Sequence, residues 1–314
     1  MPRRRRFVPY PRPKQPKQHI HVTRAFLDQF SVTDIKKLVL YKDQYLKYHW
    51  DYYWDLAYQR SKIIDKLKVS LLRGSQKDFP YQGWQRAIKW KYATEPLSVK
   101  GSLIDPGGRF NIGGINSAQF PPFPALYLAS DKDTAIQELL TPPIAPTSKK
   151  VMLDPLDLAL TDASSITIVS LSGHLNTIIN LKEPQSLQQF VDLIKDFTVS
   201  EALKNAAKAV RENEPVLIRT VPMLIDALLH PNWRLWPMQF DLPATPQIFG
   251  QLVCETGIEG ILYTSKYTSK DCLAIFPQNF EEGSFIELDD ETPPGTKICR
   301  LDHKTVSELR RGLS

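Results

Sequence analysis

The hydrophobic positions divide the chain into blocks of different period. From Ser31 or Thr33 to Arg73, apolar and aromatic residues recur at Ile35, Leu38, Tyr41, Tyr45, Leu46, Trp50, Tyr53, Leu56, Ala57, Ile63, Ile64, Leu67 and Leu71, with no proline or glycine between them. That spacing predicts one long helix with a broad apolar stripe, ended by Gly74 as its C-terminal glycine. The YHWDYYWDLAY segment puts aromatic rings nearly all round this helix. One face is expected in the core, and the rest is free to meet a partner or a second copy of the chain as a homodimer.

The period then changes. Trp84, Ile88, Trp90 and Tyr92 alternate in part and predict a first strand, or a short helix and then a strand. The apolar run Ala125–Ala129 predicts a buried strand, and residues 134–140 a helix. Ser130 is its expected N-cap, Asp131 and Asp133 suit its positive end, and Pro142 and Pro143 stop it. Further strands are expected at 151–160, 165–171, 258–264, 272–276 and 284–288. Between them, residues 187–199, 201–212, 222–229 and 246–255 carry helical spacing. The aromatic loop 231–237 separates two of these, and its Trp233 and Trp236 are read as packing anchors. The mixture predicts an α+β fold. A polar tail over 291–314 closes the chain, with a weak helix near 306–313.

Composition narrows the function classes. The chain has 314 residues, 42% hydrophobic and 24% charged, which is globular. No apolar run approaches the ~20 residues of a membrane span, and the basic N-terminus lacks the apolar stretch of a secretory signal. Cys254, Cys272 and Cys299 are widely spaced and odd in number, which suits reduced thiols and a cytoplasmic location. The histidines are scattered, so no metal site is expected. The net charge of +6 comes largely from residues 1–32, a proline-rich arm with Arg3 to Arg6, Arg12, Lys14 and Lys17. Such an arm can contact nucleic acid, an acidic protein face or ligand phosphates, but a solvated tail is the preferred reading.

The candidate chemistry lies in the stretch 107–140. Gly107 and Gly108 precede Arg109, and Gly113 and Gly114 follow Phe110, Asn111 and Ile112. Glycines beside an arginine let the backbone approach a ligand closely, and the guanidinium can fork onto phosphate oxygens. Tyr127 on the next strand offers a ring for a flat heterocycle, and Glu138 on the next helix a carboxylate for a sugar or a cation. The same string also reads as a plain loop–strand–helix unit with one surface arginine and one surface glutamate. It is not the dinucleotide-binding fingerprint, and the chain has neither a phosphate-binding GK[ST] loop nor a G-x-S-x-G elbow.

GGRFN, ALYLAS and AIQELL resemble the core of the RES domain, named for an arginine, a glutamate and a serine. Its members are mostly toxins of bacterial toxin–antitoxin pairs. Their fold is similar to the catalytic domain of ADP-ribosyltransferase toxins, and they consume NAD+. By this resemblance Arg109 is the motif arginine, Tyr127 the strand tyrosine, and Glu138 the glutamate eleven positions after it. Ser265, in GILYTSKYTSKDCLAIF, takes the place of the serine. The implied catalytic set is Glu138, Arg109 and Ser265. The implied NAD+-binding set is Arg109, Tyr127, Gly108, Asn111, Tyr92 and Lys91. Ser265 is expected to donate a hydrogen bond to the ligand or to hold Glu138.

The family's earlier arginine, about twenty positions before GGRFN, has no obvious counterpart. Lys89, Lys91 and Tyr92 lie near the expected place, and Arg86 a little before it. The loop between Asn111 and Ala125 is longer than is usual in the family and is expected over the rim of the site. The implied organisation is the arm 1–32, a helical extension over 33–74, a catalytic domain over 75–290 with a helical insertion around 185–256, and the tail. The implied function is cleavage of the nicotinamide–ribose bond of NAD+ as glycohydrolase or phosphorylase, with an antitoxin or regulatory partner. Protein ADP-ribosylation and a non-catalytic binding role are the alternatives.

Overall fold

The computed structural model describes residues 32–140, 166–292, 295–296 and 298–306. The basic arm up to residue 31, the strand expected at 151–160 and the terminal helix beyond residue 306 lie outside the described residues. Helices are α1 (Val32–Ser61), α2 (Ile64–Arg73), α3 (Lys132–Leu140), α4 (Gln188–Ile194), α5 (Glu201–Ala209), α6 (Val221–Leu228), α7 (Leu235–Phe240) and α8 (Thr245–Glu255). Strands are β1 (Gln76–Lys89), β2 (Leu126–Ala129), β3 (Ile166–Asn180), β4 (Gly260–Thr264), β5 (Asp271–Ile275), β6 (Phe285–Leu288) and β7 (Arg300–Asp302). No helix among the described residues is long and apolar enough to cross a membrane.

The chain forms two compact units, one of Met1–Gln59 with Phe197–Leu217, the other of Arg60–Asp196 with Ile218–Ser314. This division differs from the one expected, because the single helix over 33–73 is broken. A turn at Lys62 and Ile63 separates α1 from α2, and α2 belongs to the larger unit. Gly74 does follow α2, but with φ −83° rather than a left-handed conformation. A side chain there is excluded by proximity instead: a Cβ would lie 2.4 Å from the carbonyl oxygen of Ser186.

In the smaller unit, Tyr48 is buried with Leu203, Ala207 and Val210, and Tyr45 and Tyr52 pack against them. Tyr41 donates a hydrogen bond to the Val210 carbonyl, and Gln59 exchanges two with the backbone of Thr198. Ser200 caps α5 by accepting from the Leu203 N–H. Part of the aromatic surface expected to await a partner is thus covered by residues 199–210 of the same chain, while Trp54 and Tyr58 are exposed.

In the larger unit the core is a seven-stranded sheet in the order β1-β2-β5-β4-β3-β6-β7, as suits the mixed helix-and-strand class expected. β1 also pairs with β3, so the pairings β1-β2-β5-β4-β3 close on themselves. β3 is rich in β-branched residues and runs antiparallel to β1 from Gln76↔Ile178 to Lys89↔Ile166. The register shifts between Tyr81 and Trp84, where Gly83 takes φ +67° and bends the strand. Leu126, Leu128, Leu171, Leu175, Leu273 and Ile275 fill the interior. The segment expected to be only a polar tail contributes β7, which pairs with β6 and buries Leu301.

Candidate functional site

β2 leads directly into α3, and the helix is fixed at its start. The cap is Asp131 rather than Ser130, as its carboxylate accepts from the N–H and hydroxyl of Thr134. These bonds hold the Asp131 carboxyl below its usual pKa. Thr134 also shares a 2.8 Å hydrogen bond with Thr268 in the turn between β4 and β5. Glu138 lies four residues further on, on the same helix face. It faces the same turn, where Ser265 Oγ donates to Glu138 Oε1 at 2.7 Å. Ser265 is 2% exposed, and its Oγ also accepts from the Tyr267 N–H. Among the described residues no hydrogen bond engages Glu138 Oε2, the oxygen left for a ligand.

Glu138 lines a cavity of about 300 Å³, at the small end of the range for ligand pockets. The GGRFN loop forms one wall. Gly107 takes φ +89°, and a Cβ on Gly108 would lie 2.3 Å from the Tyr127 hydroxyl. The Tyr127 ring therefore lies directly against the glycine. Its hydroxyl accepts from the Phe110 N–H and donates to Asn111 Oδ1, both at 2.9 Å. Burial raises the Tyr127 pKa, so the phenol keeps its proton. Cys272 also lines the cavity, and burial raises its pKa too, which makes it a poor nucleophile.

Three arginines share this cavity with Glu138. Arg109 is 5% exposed and donates from Nη1 to the carbonyls of Leu228 at 3.3 Å and His230 at 3.0 Å. Arg86, on β1, donates from Nη2 to the Ser98 carbonyl at 2.7 Å. The residue as a whole is partly exposed, but its Nη1 is sealed from solvent and has no hydrogen-bond partner. Burial lowers its pKa to about 10, so it stays charged at neutral pH. Arg234 stacks on Trp233, with Cζ 4.7 Å from the ring centroid. A buried guanidinium with an unengaged nitrogen favours an anion, because leaving it unpaired is costly.

The expected residues fall into distinct positions. Arg109, Gly108, Tyr127, Glu138 and Tyr92 line the cavity, and Ser265 stands behind Glu138. Lys91 lies in the same short turn as Tyr92, and its side chain is outside the described residues. Asn111 does not line the cavity. It is fully buried, with its Oδ1 bonded to the Gly108 N–H and its Nδ2 to carbonyls of Ser102 and Phe123. It has no donor left for a ligand and serves to shape the loop. The long loop 112–124 likewise stays off the cavity, which is reached only at Ala125. Among the described residues no group of three or more metal-ligating side chains comes together.

Residues distant in sequence complete the site. Gln247, near the start of α8, is fully buried and donates from Nε2 to the carbonyls of Pro106, Gly108 and Asn111. It clasps the glycine loop from beneath, and no local pattern around it marks that role. Trp233 is buried, as a packing anchor should be, yet it also lines the cavity together with Arg234.

No curated protein matches the chain. Among solved structures, the crystal structure of the M. tuberculosis MbcT–MbcA toxin–antitoxin complex aligns over 78% of this chain and 97% of that chain. The TM-score is 0.38 and the identity 13%, too distant a likeness to bear on function. The profile of the RES domain family matches residues 84–293, a span that holds Arg86, Arg109, Tyr127, Glu138, Arg234 and Ser265. This chain belongs to the RES domain family.

Proposed function

We propose that this protein is an NAD+-consuming enzyme of the toxin class, cleaving the bond between nicotinamide and ribose. The observation that carries the reading is the Ser265–Glu138 hydrogen bond at 2.7 Å, beside a cavity that three arginines line. One oriented carboxylate suits a developing sugar cation, and the guanidinium groups suit a diphosphate. Family membership supports the same substrate and the finer fold expectation, a core of the ADP-ribosyltransferase kind.

The geometry supports the following roles. The C1′–N bond of NAD+ breaks, and its electron pair goes to the nicotinamide nitrogen, so the leaving group departs neutral. Positive charge builds on the ribose. Glu138, through Oε2, stabilises that charge or holds a ribose hydroxyl, while Ser265 fixes the other oxygen. Water or phosphate then bonds to C1′ and gives up a proton to solvent. Arg86 lines the same cavity, lends it positive charge for a phosphate and so fills the place of the family's earlier arginine. Arg109, braced by two backbone carbonyls, keeps a fixed positive charge in the wall. Tyr127 and Tyr92 give the cavity aromatic surface for the nicotinamide ring. In the cell, a partner protein of the antitoxin class restrains this activity.

The test is incubation of the purified chain with NAD+, with and without inorganic phosphate, followed by analysis of products. Free nicotinamide with ADP-ribose marks a glycohydrolase, and free nicotinamide with phosphorylated ADP-ribose a phosphorylase. Nicotinamide release matched by ADP-ribose bound to protein marks a transferase. Intact NAD+ under every condition contradicts the proposal.

A further inference from the structure

Arg234 lies outside every motif that marks the family, in the segment between α6 and α7. Its guanidinium stacks on Trp233 at 4.7 Å, and Arg109 approaches the same ring at 5.9 Å. Trp233 is 4% exposed and cannot swing away without opening the core. Arg234 is partly exposed, and both it and Trp233 line the cavity that holds Glu138. Among the described residues Arg234 has no carboxylate or carbonyl partner, whereas Arg109 is braced by the carbonyls of Leu228 and His230. Two arginines of one wall are therefore held in different ways, one by backbone oxygens and one by an aromatic face. Stacking fixes the plane of a guanidinium and leaves its edge donors unengaged.

We infer that Arg234 is a phosphate-binding residue of this cavity, supplied by the helical insertion and oriented by Trp233. The inference rests on the reading of the site as one for NAD+. It assigns the insertion a part in substrate selection: ligands with a diphosphate gain from Arg234, and ligands without phosphate do not. Arg86 on β1 and Arg234 in the insertion come from separate elements, so a diphosphate engaging both would join the sheet to the insertion.

Calorimetric titration of the full chain and its Arg234→Gln and Arg234→Lys variants tests this, with NAD+, inorganic pyrophosphate and nicotinamide riboside as probes. Arg234→Gln should bind NAD+ and pyrophosphate about 10- to 100-fold more weakly, as for loss of a charge-assisted hydrogen bond. Arg234→Lys should lose less, since it keeps the charge and lacks the fork. Nicotinamide riboside should bind all three proteins equally, and in turnover the loss should fall on KM rather than kcat. Equal NAD+ affinity in wild type and Arg234→Gln overturns the inference and leaves the NAD+ reading standing. An equal loss for nicotinamide riboside also overturns it, because Arg234 would then only support the wall. Arg234-dependent binding of pyrophosphate without any binding of NAD+ sustains the anion site and contradicts the NAD+ reading. No binding of either by wild type contradicts both. If Arg234→Gln does not fold, the comparison of Arg234→Lys with wild type decides.

Discussion

Ser265 Oγ donates a 2.7 Å hydrogen bond to Glu138 Oε1 across 127 positions of sequence. The bond joins the turn after β4 to the last turns of α3, and Thr134 and Thr268 make a second tie between the same two elements. The carboxylate is thus held by its neighbour hydroxyl and by the seat of its helix. A charge that must meet a transient cation benefits from being fixed beforehand, since no reorganisation is then needed during the reaction.

Removing the hydroxyl should therefore slow turnover without emptying the cavity. For Ser265→Ala we expect kcat to fall about 10- to 100-fold, the range for losing one hydrogen bond to a charged group. NAD+ affinity should change by less than a factor of about three, because the arginines and the glycine loop are untouched. Steady-state nicotinamide release with a separate titration of NAD+ checks both parts. A loss confined to affinity would count against a positioning role for Ser265.

Gly108 should tolerate no side chain. A Cβ there would lie 2.3 Å from the Tyr127 hydroxyl and 2.5 Å from its ring carbons. Displacing the ring breaks the bonds of Tyr127 to Phe110 and Asn111. Gly108→Ala should cost about 1–3 kcal/mol of stability, as overpacking usually does, and should weaken NAD+ binding. Denaturant unfolding measures the first and calorimetry the second. Wild-type values for both would show that the loop accommodates a methyl group and that its close approach to Tyr127 is not needed.

His49 in the smaller unit makes stability depend on pH. It packs against Tyr45 and Tyr48, and burial lowers its pKa to about 4. An unfolded histidine titrates near 6.5. Between these values the unfolded chain binds a proton that the folded chain does not, so acid favours unfolding. The contribution is fully present above about pH 6.5 and declines as pH falls toward about 4, by on the order of 2 kcal/mol after allowance for residual solvation. Unfolding measured at pH 7.5, 6 and 5 should show this decline in wild type and a flatter profile in His49→Phe. Parallel profiles would remove His49 as the cause.

The parts of the site that are contiguous in sequence could be read from it. The glycines around Arg109, the run Ala125–Ala129 and the helix after it leave local signatures of turn, burial and period. The β4–β5 hairpin around Ser265 does the same. What could not be read depends on packing between distant segments. Gln247 clasps the glycine loop only because α8 lies beneath it, and nothing in its neighbours announces that. Arg86, Arg109 and Arg234 meet in one cavity although they lie on separate segments of the chain. Asn111 sits in the motif like a ligand contact, but a side chain with five polar neighbours at zero exposure belongs to the loop itself. The break between α1 and α2 has no proline or glycine to mark it. It falls within three residues of the boundary between units, and the apolar period on its two sides serves two different cores.

In the proposed reaction Glu138 acts through its charge on NAD+, and the substitution Glu138→Gln separates that charge from the shape of the side chain. The substitution preserves shape and leaves an acceptor for the Ser265 hydroxyl while removing the negative charge. Nicotinamide release from NAD+, measured beside wild type on protein shown to be folded, should fall about 10²- to 10³-fold, as when an electrostatic stabiliser of a transition state is lost. Titration should still show NAD+ bound. A folded Glu138→Gln protein that releases nicotinamide at the wild-type rate would contradict the account.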